Sequence, residues 1–374
     1  MSKSCTHPAP HDSFTSTAMT TRTALRSGLA VTALALVAHA AGAQTVSKTL
    51  SGSSVAIYDL AGHVQVEQGT GSDVTVEVTL AGHDAKKLSV EVGELHGRNT
   101  LRIRYPDDDI VYPDLGRWSN SDFRINSDGT WGNGYDDDDR GWGRRVRITG
   151  NGSGTEAWAD MKILVPAGKD VAVYTGVGEL GASHVNADLR LSAASGHVTA
   201  TNLKGNLIAS AGSGGVDVRS ASGDDVRISA GSGGVHATDV SGKRLHVSTG
   251  SGGLTASGLT SDELNVSVGS GSLRIDDTRS PDVRLSAGSG GIHAGFAAPV
   301  KSLDVSNGSG GVTVTLAGAV NAEVDVTTGS GGIDSDFPIT VNRMERHQLR
   351  GQIGDGSGHI RIRSGSGSVQ LRKL

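Results

Sequence analysis

The chain is poor in the residues that cross-link or stiffen a fold. It has one cysteine, Cys5, eight prolines, four tryptophans, five tyrosines and four phenylalanines among 374 residues. A single cysteine excludes a disulfide-stapled scaffold. Scarce proline, with glycine not at every third position, excludes collagen. A formal net charge of −5 and 20% charged residues argue against a nucleic-acid-binding protein and against charge-driven disorder.

The N-terminus carries the pattern of a secretory signal peptide. Two arginines precede an apolar stretch over residues 29–38, and Ala41-Gly42-Ala43 supplies the small residues of a cleavage site. We expect residues 1–43 to be removed, with Met19 as an alternative start. A membrane anchor is the competing interpretation, but the apolar stretch is too short for about 30 Å of hydrocarbon. The sequence thus predicts export to the periplasm or cell surface, with no transmembrane segment after cleavage.

Glycine is abundant, with 55 residues, and it is periodic in the second half of the chain. The tetrapeptide GSGG, its variant GSGS and two degenerate forms recur at steps of 18 to 21 residues, followed by one step of 36. Ten copies at this spacing predict a repeat architecture. The copies begin at Gly176, Ala194, Gly212, Gly231, Gly250, Gly269, Gly288, Gly308, Gly329 and Gly365.

Apolar and polar residues alternate on both sides of each copy. Val226, Ile228 and Ala230 lead into one corner, and Val216-Asp217-Val218 follows another. A period of two indicates a strand with one buried face. A third apolar position recurs further along several repeats, at Leu203, Val240 and Leu259.

These patterns decide the fold class. A helix is disfavoured by the period of two and by the glycines, and a propeller blade needs about 40 residues. The sequence predicts an all-β protein: a single-stranded parallel β-solenoid (β-helix) of about ten coils, with 18–21 residues per coil, plus an N-terminal β cap. Glycines are expected at corners where positive φ or close backbone approach excludes a Cβ. These predicted structural corners are Gly212, Gly214, Gly231, Gly233, Gly250, Gly252, Gly288, Gly290, Gly308, Gly310, Gly329 and Gly331.

The chain divides into four segments on this interpretation. After the signal peptide, residues 44–104 form an N-terminal β cap or first strands, and residues 105–158 form an insertion loop rich in aromatic residues, aspartate and glycine. The GSGG-repeat solenoid occupies residues 159–374. Residues 337–359 interrupt the period, and we expect them to cover the far edge of the solenoid.

The insertion is the candidate ligand-binding loop because the repeat is absent from it. A long segment without periodicity is either functional or disordered. Aromatic rings beside carboxylates suit a sugar surface, although the same rings could pack the loop onto the solenoid. The candidate residues are Trp118, Trp131, Tyr135, Trp142, Asp136, Asp137, Asp138 and Asp139.

Metal binding has little support in the pattern. Asp136 to Asp139 supply oxygen ligands of the kind calcium prefers, but they lack the alternating spacing of an EF-hand loop, so a solvated acidic loop is the simpler interpretation. His236 and His293 lie three coils apart, about 14 Å, too far to share an ion. We therefore expect no metal site and no cofactor.

A column of hydroxyls is predicted on the outer face. Serine or threonine stands two residues before the corner in eight copies, and alternation directs these side chains outward. We expect the column to satisfy its own hydrogen bonds, although it could also present a flat face to a partner. Its members are Ser192, Ser210, Ser229, Ser248, Ser267, Ser286, Ser306 and Thr327.

Several motifs together resemble a bacterial family of adhesin-like domains of unknown function. They are the early strands, the element Met161–Gly168 leading into Val171–Gly178, the GSGGV units, and the ending Ile360–Val369. The resemblance covers nearly all of the chain after residue 43 except residues 105–158. It implies an exported β-solenoid with an adhesive or envelope role, and it brings no catalytic residues.

The sequence also lacks a catalytic constellation. Pectin-cleaving enzymes use parallel β-helices, but their chemistry needs carboxylates, or basic residues with calcium, clustered on one face. We therefore expect a non-enzymatic exported adhesin or cell-envelope surface-interaction protein. Its partners would be envelope or cell-surface glycans or proteins, not nucleic acid. Two alternatives stay open: a polysaccharide lyase-like or hydrolase-like β-helix enzyme, and a structural envelope protein that self-assembles through open solenoid ends.

Overall fold

The computed structural model describes residues 44–132 and 143–374, so the predicted signal peptide lies outside the described residues. The described part consists of strands, turns and two short 3₁₀ helices, Ala85–Lys87 and Pro113–Leu115, with no α-helix. The predicted all-β class is confirmed. In chain order the strands are β1 Gln44–Leu50, β2 Ser54–Ala61, β3 Val64–Gln68, β4 Val74–Ala81, β5 Ser89–Leu95, β6 Arg98–Arg104, β7 Asp109–Val111, β8 Asn120–Ile125, β9 Arg144–Thr149, β10 Thr155–Glu156, β11 Trp158–Val165, β12 Asp170–Val177, β13 Leu180–Ser183, β14 Asp188–Ala193, β15 Val198–Lys204, β16 Leu207–Ala211, β17 Val216–Ala230, β18 Val235–Thr249, β19 Leu254–Ser257, β20 Thr260–Val268, β21 Leu273–Thr278, β22 Asp282–Ser289, β23 Ile292–Phe296, β24 Ser302–Ser309, β25 Val312–Leu316, β26 Ala322–Thr328, β27 Ile333–Ser335, β28 Thr340–Glu345, β29 Gln348–Ile353, β30 Gly358–Ser366 and β31 Val369–Lys373.

Successive repeats pair in parallel along two ladders. Ladder A contains the strand segments that lead into a glycine corner, and ladder B contains those that follow it. Val226 pairs with Leu245 in ladder A, and Val216 pairs with Val235 in ladder B. From β12 to β24 the paired residues lie 18 to 20 positions apart, which matches the spacing of the tetrapeptides. The fold is therefore solenoid-like.

The core lies between the ladders. The alternating apolar residues are buried, as at Val226 and Ile228, whereas Arg227 between them is exposed. The third apolar position is buried too, at both Leu203 and Val240. Each repeat thus buries side chains from three sides, and it needs its neighbours to pair its backbone.

A second corner, absent from the sequence analysis, comes directly before this third side. One residue in each of six repeats has a left-handed φ between 50° and 67°. Asparagine, aspartate and glycine tolerate this conformation best, which explains the polar character of the position. These residues are His184, Asn202, Ser220, Asp239, Gly258 and Asp277.

Close stacking of backbones dictates glycine at the first corner. At each of the twelve predicted corner glycines, a Cβ would overlap the carbonyl oxygen of the residue stacked on it. Gly233 faces the carbonyl of Gly214 in this way, and Gly252 faces that of Gly233. Only Gly290 and Gly310 among the twelve have positive φ. Lack of space for a Cβ, rather than the backbone dihedral, is the common reason for glycine.

The first repeat lies upstream of the insertion, in β2 and β3. Val171 pairs with Val55 in ladder A, and Leu180 pairs with Val64 in ladder B. Gly62 takes the corner position, because a Cβ on Gly178 would overlap its carbonyl oxygen. Part of the segment predicted as a cap therefore belongs to the repeat array.

Strands from residues 44–50 and 74–165 close the N-terminal end. In ladder A, β6 pairs in parallel with β2, and β5 then pairs antiparallel with β6. In ladder B, β11 pairs in parallel with β3, and β4 and β1 follow in antiparallel pairings. The strand β11, assigned to the solenoid from its sequence, thus lies in the cap.

The described part of the insertion forms strands, where the sequence predicted a loop. Strands β7 to β10 form a separate four-stranded sheet. Ile110, Val146 and Ile148 are buried. The alternation Arg145-Val146-Arg147-Ile148 is the sequence signal for this sheet.

The C-terminal repeat stacks out of chain order. Strand β30 lies between β24 and β26, and β31 lies between β25 and β27. The corners Gly308, Gly365 and Gly329 consequently stack in that order. The hairpin β28–β29, within the segment expected to cover the far edge, pairs antiparallel with β26 through β29. Because the hairpin occupies one edge of β26, only the opposite edge is open to β30.

Candidate functional site

The structure separates the predicted ligand-binding residues. Trp118 is 87% exposed, and the Arg117 guanidinium carbon lies 5.7 Å from the centre of its ring. Trp131 is buried at 8% exposure and packs on Tyr58 and Phe123, with ring centres 5.2 and 6.2 Å apart. Trp131 therefore packs the insertion onto ladder A and offers no face to a ligand. Tyr135, Asp136, Asp137, Asp138, Asp139 and Trp142 lie outside the described residues.

The insertion covers the start of the outward column on ladder A. Tyr58 and Tyr174 stack with ring centres 4.6 Å apart and nearly parallel planes, and the column continues through Ser192. Ser121 of the insertion lies 2.6 Å from Ser195, hydroxyl to hydroxyl. Further along, Arg363 separates Ser306 from Thr327. The predicted hydroxyl column is thus bounded by aromatic rings at one end and interrupted by an arginine near the other.

A groove of about 690 Å³ lies where ladder B meets the cap. Its floor is built from outward side chains of β1, β4, β11, β3, β13 and β15, which are neighbours across the sheet. Because outward residues recur at every second position, they line up in rows across the strands. The polar lining comprises Thr45, His63, Gln65, Glu77, Thr79, Asp160, Lys162, Glu179, Ser183, Thr199 and Thr201.

The groove presents both donors and acceptors of hydrogen bonds. Gln65 donates through Nε2 to the Ser183 hydroxyl at 3.2 Å, and a Cβ at Gly181 would overlap the Gln65 amide. Glycine at position 181 therefore leaves room for Gln65 to lie across the floor. Lys162 forms an ion pair of 3.0 Å with Glu67 on the next strand. Hydroxyl, amide and carboxylate groups in one groove suit a polar, hydroxyl-rich ligand.

Carboxylates surround His63 at the upper end of the groove. The His63 backbone N–H donates to Asp160 Oδ1 at 2.9 Å, which fixes that carboxylate. The ring nitrogens of His63 lie 3.4 Å from Asp114 and 3.9 Å from Glu179. This end of the groove joins residues of the first repeat, the second repeat, the cap and the insertion.

Behind this end lies a buried acid. Asp59 is completely buried, and burial raises its pKa well above the ordinary value of 3.8. The Tyr105 hydroxyl donates to Asp59 Oδ1 at 3.0 Å and lies 3.1 Å from the carbonyl of Ala61. Burial also raises the pKa of the Tyr112 phenol, which packs on Trp158. Because Asp59 is sealed from solvent, it cannot reach a ligand in the groove.

Neither the groove nor the buried Asp59 was predicted from the sequence. The groove depends on pairings between distant segments, such as β11 with β3, that no local pattern records. Asp59 had a signal, because its register partner is Thr175 and the following repeats place Ala193, Ala211 and Ala230 at the same inward position. Aligning Gly62 with the later corners would have shown that an aspartate stands at an inward position that threonine or alanine occupies in the following repeats.

Three histidines of the repeats, His197, His236 and His293, contact carboxylates. Asp217 lies between His197, at 2.9 Å, and His236, at 3.2 Å, on successive repeats. His293 lies 3.7 Å from Asp276. Within residues 44–132 and 143–374, no group of three histidine, cysteine or acidic side chains is arranged to hold a metal ion. Over the same ranges, no helix is long and apolar enough to cross a membrane.

Comparison with known proteins places the repeat array in a family. No curated protein matches the chain. A solved structure that matches is a "putative cell adhesion protein" from Clostridium sporogenes ATCC 15579, 10% identical, with 89% of this chain and 100% of that chain covered and a TM-score of 0.22. The profile of Toastrack DUF4097 matches residues 148–372, more than half of the sequence. The chain therefore belongs to the Toastrack family, a domain family of unknown function.

Proposed function

We propose that this protein is a non-enzymatic, exported surface-interaction protein of the cell envelope that binds a hydroxyl-rich ligand, a glycan, in the groove between ladder B and the cap. The observation that carries the proposal is the groove itself, with its volume of about 690 Å³ and its lining of hydroxyl, amide and carboxylate groups. Sugar hydroxyls both donate and accept hydrogen bonds, so they match such a lining. Export rests on the signal-peptide pattern at residues 1–43.

A binding role suits the carboxylates better than a catalytic one. Glycoside hydrolysis needs two accessible carboxyl groups, one of them protonated. Asp59 has the raised pKa of such an acid but is fully buried against Tyr105. Asp160 lines the groove and accepts the His63 backbone N–H. The two carboxyl groups cannot both approach one substrate.

The proposal treats each repeat as one coil of a single-stranded parallel solenoid. Parallel pairing in both ladders, at offsets equal to the repeat length, supports this finer description. The strands that carry the groove are held in one sheet by backbone hydrogen bonds. Binding at a rigid sheet costs little conformational entropy, because the backbone beneath the site is already ordered.

The first experiment measures glycan binding by the purified protein and two matched variants. An array of bacterial and host glycans identifies a ligand, and titration calorimetry gives its affinity. Thr199→Arg places a long side chain in the groove, whereas Thr313→Arg makes the same change at an outward, half-buried position of ladder B in β25. We expect at least a tenfold loss of affinity for Thr199→Arg and none for Thr313→Arg. Equal affinities of the two variants would show that the glycan does not bind in the groove.

A second measurement separates binding from catalysis. The protein is incubated with a panel of polysaccharides, and released sugars are measured over a day. We expect no product. Product release that Asp160→Asn abolishes would instead establish the β-helix enzyme alternative.

A further inference from the structure

Within residues 44–132 and 143–374, ladder A ends in an unpaired strand edge at each end. Among the described residues, β5 pairs only with β6, and β28 pairs only with β29. An exposed edge offers a row of free N–H and C=O groups to another strand. Both terminal strands continue the same ladder, one at the cap and one beyond the last repeat.

Exposed apolar side chains concentrate on these two strands. Five large hydrophobic residues are exposed in the described chain, and three of them lie there: Val92 on β5 at 41%, and Val341 and Met344 on β28 at 45% and 74%. All six residues of β28 are exposed. A strand with neither face covered gains nothing from burial within its own chain, since burial is what stabilises a strand.

The strand register shows that these residues continue the core. Val92 pairs with Leu101, which pairs with the fully buried Ile57. At the other end, Met344 pairs with Leu349, which pairs with the fully buried Val326. The apolar column of ladder A therefore extends past both ends of the array and stops at solvent.

We propose that a second copy of this chain covers these edges, with β28 of one copy pairing antiparallel to β5 of the next. The directions agree, because β28 runs parallel to β26 and hence with ladder A, whereas β5 runs against β6 and hence against it. Two copies aligned along one axis thus bring an antiparallel pair together. The joint extends the sheet and makes the core column continuous.

Charge selects the register of this joint. Among registers that keep core side against core side, the one that places Arg343 opposite Glu91 also places Met344 opposite Val90 and Val341 opposite Val92. The one-residue bulge between Val341 and Arg343, already present in the pairing with β29, accommodates this match. Opposite charges across a strand pair are favourable, and like charges are not. Arg343 now contacts Glu345 at 2.6 Å, and Glu91 contacts Arg102 at 3.4 Å. In the joint, the exposed Arg343 gains Glu91 as a partner across the strand pair.

The contact is head-to-tail, so it leaves a free β5 at one end and a free β28 at the other. Such a heterologous contact generates open filaments instead of a closed dimer. The inference is independent of the groove, which lies on ladder B, and ligand binding can fail without affecting it.

Sedimentation velocity over a concentration series tests the proposal. We expect the purified protein to sediment as a series of whole-number multiples whose mass rises with concentration. Val92→Lys blocks the β5 edge and Met344→Lys blocks the β28 edge, so each variant alone should stay monomeric. An equimolar mixture should form dimers and stop there, because each variant retains one intact edge. Thr255→Lys, at an exposed position in the middle of ladder B, should assemble like the parent protein.

Each contrary result has a defined meaning. A parent protein that stays monomeric up to about 1 mM overturns the proposal. Assembly that persists in Val92→Lys but fails in Met344→Lys shows β28 pairing with itself or with another surface, and overturns the head-to-tail joint. If a lysine variant loses its native circular dichroism, Arg343→Glu and Glu91→Arg replace it. Each of these should weaken assembly alone. Their equimolar mixture should restore assembly, because both joints between the two variants then place opposite charges across the strand pair.

Discussion

The phenol of Tyr105 donates a hydrogen bond of 3.0 Å to the carboxyl group of Asp59, and both side chains are buried. Tyr105 directly follows β6 of the cap, whereas Asp59 lies in β2 of the first repeat. The contact adds a buried side-chain link between cap and array to the parallel pairing of β6 with β2. It also places the titratable carboxyl group of Asp59 in the interior, where its ionisation costs free energy.

Asp59→Asn should stabilise the protein at neutral and alkaline pH. Burial raises the folded-state pKa of Asp59, so the native state holds its proton more tightly than the unfolded state. The resulting stabilisation is complete below about pH 4 and is lost as pH rises through the raised pKa. The melting temperature of Asp59→Asn minus that of the parent should thus grow from pH 4 to pH 8. A difference that does not change with pH would contradict a buried, titrating Asp59.

Tyr105→Phe should act in the opposite direction. It leaves the Asp59 carboxyl group buried without its side-chain donor, and losing one partner of a buried polar group costs about 1–3 kcal/mol. Urea unfolding at pH 7 measures the change in free energy of unfolding. In the Asp59→Asn background, Tyr105→Phe should cost less free energy of unfolding than it does in the parent protein. An equal cost in both backgrounds would show that the two groups do not interact.

Two adjacent glycines provide a matched test of the corner. A Cβ at Gly252 would overlap the carbonyl oxygen of Gly233, whereas at Gly253 the nearest atoms of Ser272 lie 3.8 Å away. Gly252→Ala should lower the free energy of unfolding by about 2 kcal/mol or more, as overpacking does, and Gly253→Ala should change it little. Equal losses in urea unfolding would show that glycine is required there for another reason.

The left-handed φ of Ser220 predicts that glycine at this position would make the protein more stable. Ser220 has a φ of 56°, which is unfavourable for a residue with a Cβ. Ser220→Gly should stabilise the protein by about 0.5–1 kcal/mol, and Ser220→Val should destabilise it, because a β-branched residue tolerates this φ least. Thermal unfolding of the pair gives the sign directly; a loss for glycine would contradict strain at this position.

Hydrogen exchange should reveal the out-of-order repeat. Chain ends usually exchange quickly, but β30 lies between β24 and β26 and is paired on both sides. We expect its amides to exchange as slowly as those in the middle of β17. The terminal strand β1, paired on one side only among the described residues, should exchange faster. Rapid exchange in β30 would place the C-terminal repeat at the end of the stack instead.

Local patterns were sufficient wherever the repeat is regular. The alternation around Val226 and Ile228 predicted their burial, and the spacing of Gly233 and Gly252 predicted that they stack. The third side was seen at Leu203 and Val240, although the left-handed residues before them went unnoticed. The candidate site was predicted less well: Trp131 proved to be a packing residue, and the groove was missed.

The sequence by itself determined the period, the strands and the corners, because a period of two and a glycine requirement are properties of neighbouring residues and of identical units stacked on one another. Only the tertiary structure decided which segments meet at the ends. There, β2 and β3 join the array across an insertion, β30 enters between two earlier repeats, and Asp59 becomes buried by Tyr105. These contacts link residues far apart in the chain, and long-range pairing follows from edge satisfaction and burial, which no short stretch of sequence records.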